Sequence, residues 1–194
     1  MKLRKAMSLN GNSRIVSSNS GYFNVNRIAL LAILTAFITV GRIGFALPFL
    51  PNIQPMTALL IIITLNIGVI DGLVVSVLSM FLTNLIISMG PWTIFQILSF
   101  ALIILLTGIL KYFYSFGSIR NRILFAAWAF LTGYIYGFVI SVFTFYLYGM
   151  NNFTVYYLNG LPFDTLHAVG NLVFFIILEP ILVPIIRKKF PEIH

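Results

Sequence analysis

Long apolar stretches alternate with short breaks along most of this 194-residue chain. A membrane core about 30 Å thick needs about 20 helical residues, and the apolar stretches approach or exceed that length. The pattern therefore predicts an all-α polytopic membrane protein with six transmembrane helices, at residues 26–49, 56–70, 72–89, 92–113, 123–148 and 163–186.

The breaks between the predicted spans contain residues that interrupt helices or turn the chain. Prolines separate the first two spans, Asp71-Gly72 separates the second from the third, and Gly90-Pro91 separates the third from the fourth. The remaining breaks are the polar stretch 115–121 and a predicted loop at 149–162. We interpret Asp71 as a turn residue. The second span has only about 15 residues, so we expect it to be kinked or to be completed by the Pro-rich segment before it.

Little of the chain lies outside the predicted spans. Residues 1–25 are basic and then rich in Ser, Asn and Gly, which predicts a disordered cytoplasmic tail. Residues 26–189 form one predicted membrane domain, and residues 190–194 form a short C-terminal tail.

The basic residues predict how the bundle is oriented. Of the twelve Lys and Arg residues, all but Arg42 fall before or at the start of the first span, from the end of the fourth to the start of the fifth, or after the sixth. They are Lys2, Arg4, Lys5, Arg14 and Arg27; Lys111, Arg120 and Arg122; Arg187, Lys188 and Lys189. Short loops rich in Lys and Arg stay in the cytoplasm. Both termini are therefore predicted to be cytoplasmic, in a multi-pass protein of a prokaryotic plasma membrane. These loops account for the net charge of +8, so we expect no nucleic-acid partner.

Composition narrows the chemistry further. With 60% hydrophobic and 8% charged residues, the chain cannot be a soluble domain of this length. It has no cysteine, which excludes disulfides and thiolate metal sites. We find no Ser or Thr nucleophile beside a His, no carboxylate pair and no phosphate-binding Gly loop. The sequence therefore predicts a protein that is not an enzyme, with no catalytic residue, bound metal or cofactor of its own.

Polar and aromatic residues gather toward the predicted outer face. Amides and ionisable groups at membrane depth are costly unless they face protein or a water-filled cavity, so they are candidates for a binding site. An interfacial belt explains the aromatic members equally well. The candidate substrate-binding residues are Arg42, Asn52, Gln54, Asn84, Trp92, Gln96, Tyr146, Asn151, Tyr156, Asp164, His167 and Asn171.

Four ionisable residues leave alternatives open. Arg42 either reaches lipid headgroups, pairs with Asp164 or holds an anionic part of a ligand. Asp164 and His167 are three residues apart, a spacing that metal ligands also use. However, an acid is also favourable in the first turn of a helix, which explains Asp164 equally well. His167 is better explained as a hydrogen-bonding wall residue. Glu179 is either the proton relay of a carrier or, as we prefer, one half of an ion pair with Arg27 or Arg122.

Small residues mark two predicted helix faces. Ala29, Ala32 and Ala36 share one face of the first span, and Gly72, Ser76, Ser79 and Thr83 repeat the pattern in the third. Small side chains let helices approach closely in a membrane. They indicate either packing inside the bundle or docking to a separate membrane protein.

Several of these features resemble the S components, the substrate-binding subunits of energy-coupling factor (ECF) vitamin transporters. Six spans in 194 residues, the pattern Ala32-Ile-Leu-Thr-Ala36 and a Pro-rich connection after the first span are typical of that family. The resemblance covers residues 26–189. Pro51-Asn-Ile-Gln-Pro55 and Gly90-Pro-Trp92 are similar to the branch associated with cobalamin uptake.

The resemblance implies a subunit that captures a vitamin from outside and then docks on a membrane scaffold subunit carrying two ATPase subunits. Ala32 and Ala36 would contact the scaffold, with Ala29 added from helical spacing. Cobalamin is the expected vitamin, with pantothenate, riboflavin, pyridoxine or a related vitamin as alternatives. The competing hypotheses are a self-sufficient carrier that uses Asp164, His167 or Glu179 as its proton site, and a membrane assembly protein without a small ligand.

Overall fold

The computed structural model describes residues 25–45 and 52–189. Within these ranges the chain is all-helical, with no strand, and its six α-helices and one short 3-10 helix are α1 (Val25–Phe45), α2 (Met56–Asn66), α3 (Val69–Ile87), α4 (Trp92–Leu110), the 3-10 helix (Lys111–Phe113), α5 (Ile119–Leu147) and α6 (Phe153–Lys189). The predicted tails fall outside the described residues, except that Val25 already belongs to α1. Most of the Pro-rich connection, at residues 46–51, also falls outside them.

Five of the helices are long and apolar enough to cross a membrane, which confirms a multi-pass membrane protein. The exception is α2, with 11 residues. At the rise of an α-helix it is about 16 Å long, roughly half of a membrane core. The second helix is therefore even shorter than the sequence predicted.

α2 occupies the centre of the bundle. All eleven of its residues are buried, and it packs against α3, α4 and α6. Its sequence is apolar on every side, which is typical of a helix with no solvent or lipid face. The other helices surround α2 and present many of their apolar side chains outward, where lipid can cover them.

The break between α2 and α3 lies at Ile67–Gly68 rather than at Asp71-Gly72. The interpretation of Asp71 as a turn residue is therefore wrong. Asp71 lies in the first turn of α3, where a negative charge interacts favourably with the helix dipole. Its carboxylate is buried and accepts two hydrogen bonds from Arg27, at 2.6 and 2.8 Å. This ion pair allows an acid to lie inside the bundle.

The predicted loop at 149–162 is also wrong beyond residue 152, because α6 begins at Phe153 and runs through Pro162, Pro180 and Pro184. The Asn152 side chain caps its first turn by accepting a hydrogen bond from the Val155 amide at 3.1 Å. A proline removes one backbone donor, but neighbouring groups can compensate in membrane helices. Proline was therefore a poor guide to where this helix begins.

Glycine brings α5 and α6 together. A Cβ at Gly133 would overlap the backbone of Ala168, and a Cβ at Gly137 would overlap the carboxylate of Asp164. The two glycines are four residues apart, the G-x-x-x-G spacing that lets membrane helices approach closely. The contact places Asp164 directly against the α5 backbone.

The alternating direction of the helices gives the bundle two distinct ends. We call the basic end the one that carries Arg27, Lys111, Arg122 and Arg187. The far end is the opposite one, where Arg42 lies. All three predicted basic clusters contribute described residues to the basic end; its cytoplasmic location stays a prediction.

Candidate functional site

A polar network begins at Arg42, near the far end of α1. Its Nη1 donates hydrogen bonds to Thr83 Oγ1 and, at 2.8 Å, to Asn84 Oδ1, both on α3. Arg42 forms no ion pair with Asp164, so that alternative from the sequence is wrong. The arginine side chain instead lies half-buried between neutral partners.

Asn84 extends this network to α4. Its Nδ2 donates to Thr93 Oγ1 at 2.9 Å and to Gln96 Oε1 at 2.7 Å. Gln96 in turn contacts the hydroxyl of Tyr136 on α5. Polar side chains from four helices are thereby joined across the far half of the bundle, where each buried hydrogen bond is protected from water.

His167 on α6 forms the second part of the site. Its Nδ1 lies 2.9 Å from the Asn52 carbonyl oxygen and its Nε2 lies 3.1 Å from Thr57 Oγ1. A carbonyl only accepts, so Nδ1 carries a proton, and in the neutral ring Nε2 accepts from the Thr57 hydroxyl. The ring also packs against Tyr136, with centroids 5.2 Å apart, which connects the two parts.

His167 thus acts as a hydrogen-bonding wall residue, with both ring nitrogens engaged. Among the described residues, no group of three or more His, Asp and Glu side chains could hold a metal ion. The described residues therefore place no third metal ligand beside Asp164 and His167.

Two acceptor atoms beside His167 have no hydrogen-bond donor. Asp164 Oδ2 and Asn171 Oδ1 are both buried without a partner. Asp164 lies against Gly137, and Asn171 Nδ2 makes a long 3.5 Å contact with Thr132 Oγ1. Seven residues separate Asp164 and Asn171, so they lie on the same face of α6, toward α5. Buried acceptors without donors are rare in proteins and cost free energy.

The remaining sequence-predicted residues are placed less centrally. Asn52 joins the site through its carbonyl, and its side chain makes a 3.5 Å contact with the Phe163 carbonyl. The other five surround the far end at the surface or half-buried, without a described side-chain bond to this network: Gln54, Trp92, Tyr146, Asn151 and Tyr156.

Tyr136 is central to this network but was not predicted, and Thr83 was predicted only as a packing residue. A signal for Tyr136 was present, since it lies between Gly133 and Gly137 in a G-x-x-x-G pattern. Such spacing predicts a close helix contact, and the aromatic side chain inside it turns toward the site. No comparable signal marked Thr83.

At the basic end the preferred interpretation of Glu179 is confirmed. Its Oε2 accepts from Arg122 Nε at 2.9 Å, and its Oε1 accepts from the Tyr114 hydroxyl at 3.0 Å. Burial raises the pKa of Tyr114, which lies outside the membrane spans, so the hydroxyl stays protonated. Glu179 is therefore held as a structural carboxylate.

The two small-residue faces differ in exposure. Ala29, Ala32 and Ala36 are all exposed on α1, whereas the opposite face of α1, with Leu30, Leu34 and Ile38, is buried. The small residues of α3 are buried: Gly72, Ser76, Ser79 and Thr83. Packing inside the bundle thus explains the α3 face but not the α1 alanines.

Comparison with known families adds a finding to this geometry. Residues 26–179 match the model of the family described as "ECF transporter, substrate-specific component". Searches of curated proteins and of solved structures gave no match. The match covers well over half of the chain and includes every residue of the polar network described above. The chain therefore belongs to the substrate-specific component family of ECF transporters.

Proposed function

We propose that this protein is a high-affinity vitamin-binding S component that captures its substrate at the far end of the bundle. The observation that carries the proposal is the pair of buried acceptors, Asp164 Oδ2 and Asn171 Oδ1, beside a network that joins the surrounding helices. Membership of the family supports the general role of substrate binding. The identity of the vitamin, and of the residues that bind it, is what we propose here.

The two acceptors indicate the chemistry of the ligand. A carboxylate and an amide oxygen without donors are satisfied by N–H or O–H groups, and hydrogen bonds to a charged group are among the stronger ones in proteins. Cobalamin carries several primary amides that can donate in this way, and we propose it as the substrate. Pantothenate, riboflavin and pyridoxine also carry donors and remain the alternatives.

The described end of the Pro-rich connection packs against α6 beside this site. Ile53 packs at Gly170, and the Asn52 carbonyl accepts a hydrogen bond from His167. Asn52 itself adopts a positive φ of 66°, a conformation that Asn tolerates better than most residues. We propose that a ligand enters by displacing this segment, because it contacts α6 at His167 and Gly170, on the face next to the two acceptors.

Energy for uptake comes, in this proposal, from partner subunits. The chain has no phosphate-binding Gly loop, and Glu179 is held in an ion pair. The exposed alanines of α1 offer a flat surface on which a second membrane helix can approach closely. We propose that this face docks on a membrane scaffold subunit that carries two ATPases, which alone bind ATP.

Vitamin binding is tested on the purified protein without ATP. Thermal shift and calorimetric titration are run with cobalamin, pantothenate, riboflavin, folate, thiamine and pyridoxine. We expect cobalamin to bind with submicromolar affinity and Asn171→Ala to weaken it. The matched control is Asn159→Ala, the same substitution at an exposed position of α6. Binding of a different vitamin would change the substrate, and no response to any of them would refute the proposal.

Docking is tested separately with Ala32→Leu and Ala36→Leu. Leucine at either position keeps an apolar helix surface but prevents close approach of a partner helix. We expect vitamin binding to stay within about twofold of the parent protein, since exposed apolar substitutions have small effects. Uptake by cells that express the partner subunits should be lost. Lost binding with normal assembly would instead place these alanines in the ligand site.

Asp164 also favours a second candidate, the self-sufficient proton-coupled carrier, because a buried carboxylate without an ion-pair partner can bind and release a proton. This candidate predicts uptake by the lone protein in liposomes under a pH gradient, abolished by Asp164→Asn. The S-component proposal predicts binding without transport in the same liposomes.

A further inference from the structure

A separate cavity lies at the basic end, between α4 and α5. Its volume is about 400 Å³, and its lining is almost entirely apolar. It is formed by Leu110, Phe113, Leu124, Phe125, Ala127, Trp128 and Leu131. It opens on the outer surface of the bundle, where Phe113, Leu124 and Leu131 are each at least 50% exposed. None of these residues belongs to the far-end network.

The one polar group of this lining is already satisfied. Trp128 Nε1 donates a hydrogen bond to Thr107 Oγ1 at 2.9 Å. The indole therefore turns an apolar surface toward the cavity, and nothing in the lining requires a polar partner. An occupant of this cavity has to be hydrocarbon where it touches these residues.

The rim of the cavity carries positive charge. Arg120 lies one turn before Leu124 on α5. It precedes the lining residues Leu124, Ala127 and Leu131 by four, seven and eleven residues. These spacings place it on the same helix face as the lining. Arg120 is exposed, and no described carboxylate pairs with it. Lys111, at the end of α4, interacts with the Asp71 carboxylate on α3, so Arg120 is the cation that lies on this face of α5. In contrast, neighbouring Arg122 is held by Glu179.

An apolar cavity with an unpaired cation at its membrane-surface edge matches one kind of occupant. Basic pockets between transmembrane helices bind anionic lipid headgroups, while the acyl chains extend along the helices. The α5 segment from Leu124 to Leu131 is about 10 Å long, which fits within one leaflet. We propose that this cavity binds one anionic phospholipid, with an acyl chain against Trp128 and the headgroup phosphate on Arg120.

Tryptophan fluorescence can test the proposal, since the chain has only two tryptophans. In a Trp92→Phe background, Trp128 is the remaining one. The protein is reconstituted in phosphatidylcholine vesicles that contain a small fraction of lipid with brominated acyl chains, either phosphatidylglycerol or phosphatidylcholine. Bromine quenches the indole only at contact, so the ratio of quenching by the two lipids measures headgroup preference at this cavity.

We expect the anionic lipid to occupy the site about fivefold more than the neutral lipid, the preference that one cation near a membrane surface gives. Arg120→Gln should remove most of this preference, and Ala127→Phe should reduce quenching by filling the cavity. Lys188→Gln, which removes an exposed cation from the same end on α6, should leave the preference unchanged.

Three outcomes would overturn the proposal. Equal quenching by both lipids would show ordinary contact with bulk lipid, and a preference that survives Arg120→Gln would place the headgroup elsewhere. If neither brominated lipid quenches Trp128, a protein segment covers the cavity. None of these results depends on vitamin binding, and circular dichroism shows whether each variant remains helical.

Discussion

The two ends of the bundle treat buried charge in opposite ways. At the basic end, Asp71 pairs with Arg27 at 2.6 Å and Glu179 pairs with Arg122 at 2.9 Å. At the far end, Arg42 bonds only neutral side chains, and Asp164 keeps one carboxylate oxygen buried without a donor. Asn66 Oδ1 at the basic end is also buried without a partner, so the contrast concerns charge: only the basic end pairs its buried carboxylates.

This difference separates structural charge from candidate functional charge. In a buried ion pair with good geometry, each charge compensates the other. Removing one partner leaves the other charge buried and uncompensated. A buried carboxylate oxygen without a donor, such as Asp164 Oδ2, has no such explanation within the described residues. Ligand binding would supply the missing donor, which is why we place the substrate at the far end.

The largest expected effect is at the basic end. Arg122→Ala leaves the Glu179 carboxylate buried with only the Tyr114 hydroxyl, and breaking a buried pair in this way costs about 3–5 kcal/mol. We expect a large fall in the unfolding temperature in detergent. Arg122→Ala with Glu179→Gln should recover much of the loss. Arg120→Ala, which removes an exposed arginine two residues away, is the control and should be close to neutral.

The opposite result is expected at the far end. Asp164→Asn removes a buried charge without an ion-pair partner, so stability should stay unchanged or increase. Vitamin affinity should fall about 10-fold or more, because a hydrogen bond to a charged acceptor is worth about 1.5–3 kcal/mol. Calorimetric titration and thermal unfolding of the same variant measure both quantities. A strongly destabilised variant would show that Asp164 is structural, like Glu179.

Tyr114→Phe gives the smallest effect. Losing the hydrogen bond to Glu179 should cost about 1.5 kcal/mol near neutral pH. Burial raises the pKa of the tyrosine in the folded protein, so the folded state retains its proton longer than the unfolded state. That contribution is complete below about pH 10 and is lost as the pH rises further. Parent and variant should therefore converge in stability at strongly alkaline pH, and a constant difference would contradict this assignment.

The order of the six α-helices in the described residues could be predicted from sequence. For the five long helices the reason is that a membrane core imposes a length on each apolar stretch, which α2 does not reach. The errors arose where a residue type was taken as a local signal. Asp71 was placed in a turn because Asp-Gly favours turns, yet it lies in the first turn of α3, where Arg27 compensates its charge. Pro162 was taken as a boundary, yet the helix continues on both sides of it.

The polar network of the far end was predicted in part, whereas the binding of a substrate by these residues stays a prediction. Arg42, Asn84, Gln96 and His167 were identified from their polarity at membrane depth, and the structure joins them through Tyr136. Trp92 and Tyr146 were selected by the same criterion but lie outside the network. Polarity along the chain gives depth, but it does not give the direction in which each helix faces.

Sequence by itself determined that this chain is a helical membrane protein, where its apolar segments lie, and which end is basic, because these properties depend on the cost of burying polar and charged groups in lipid. Only the tertiary structure decided which charges are paired and which acceptors are left without donors. The pairing of Glu179 and the isolation of Asp164 depend on how α5 and α6 are rotated against each other, and that rotation is set by close contacts at Gly133 and Gly137.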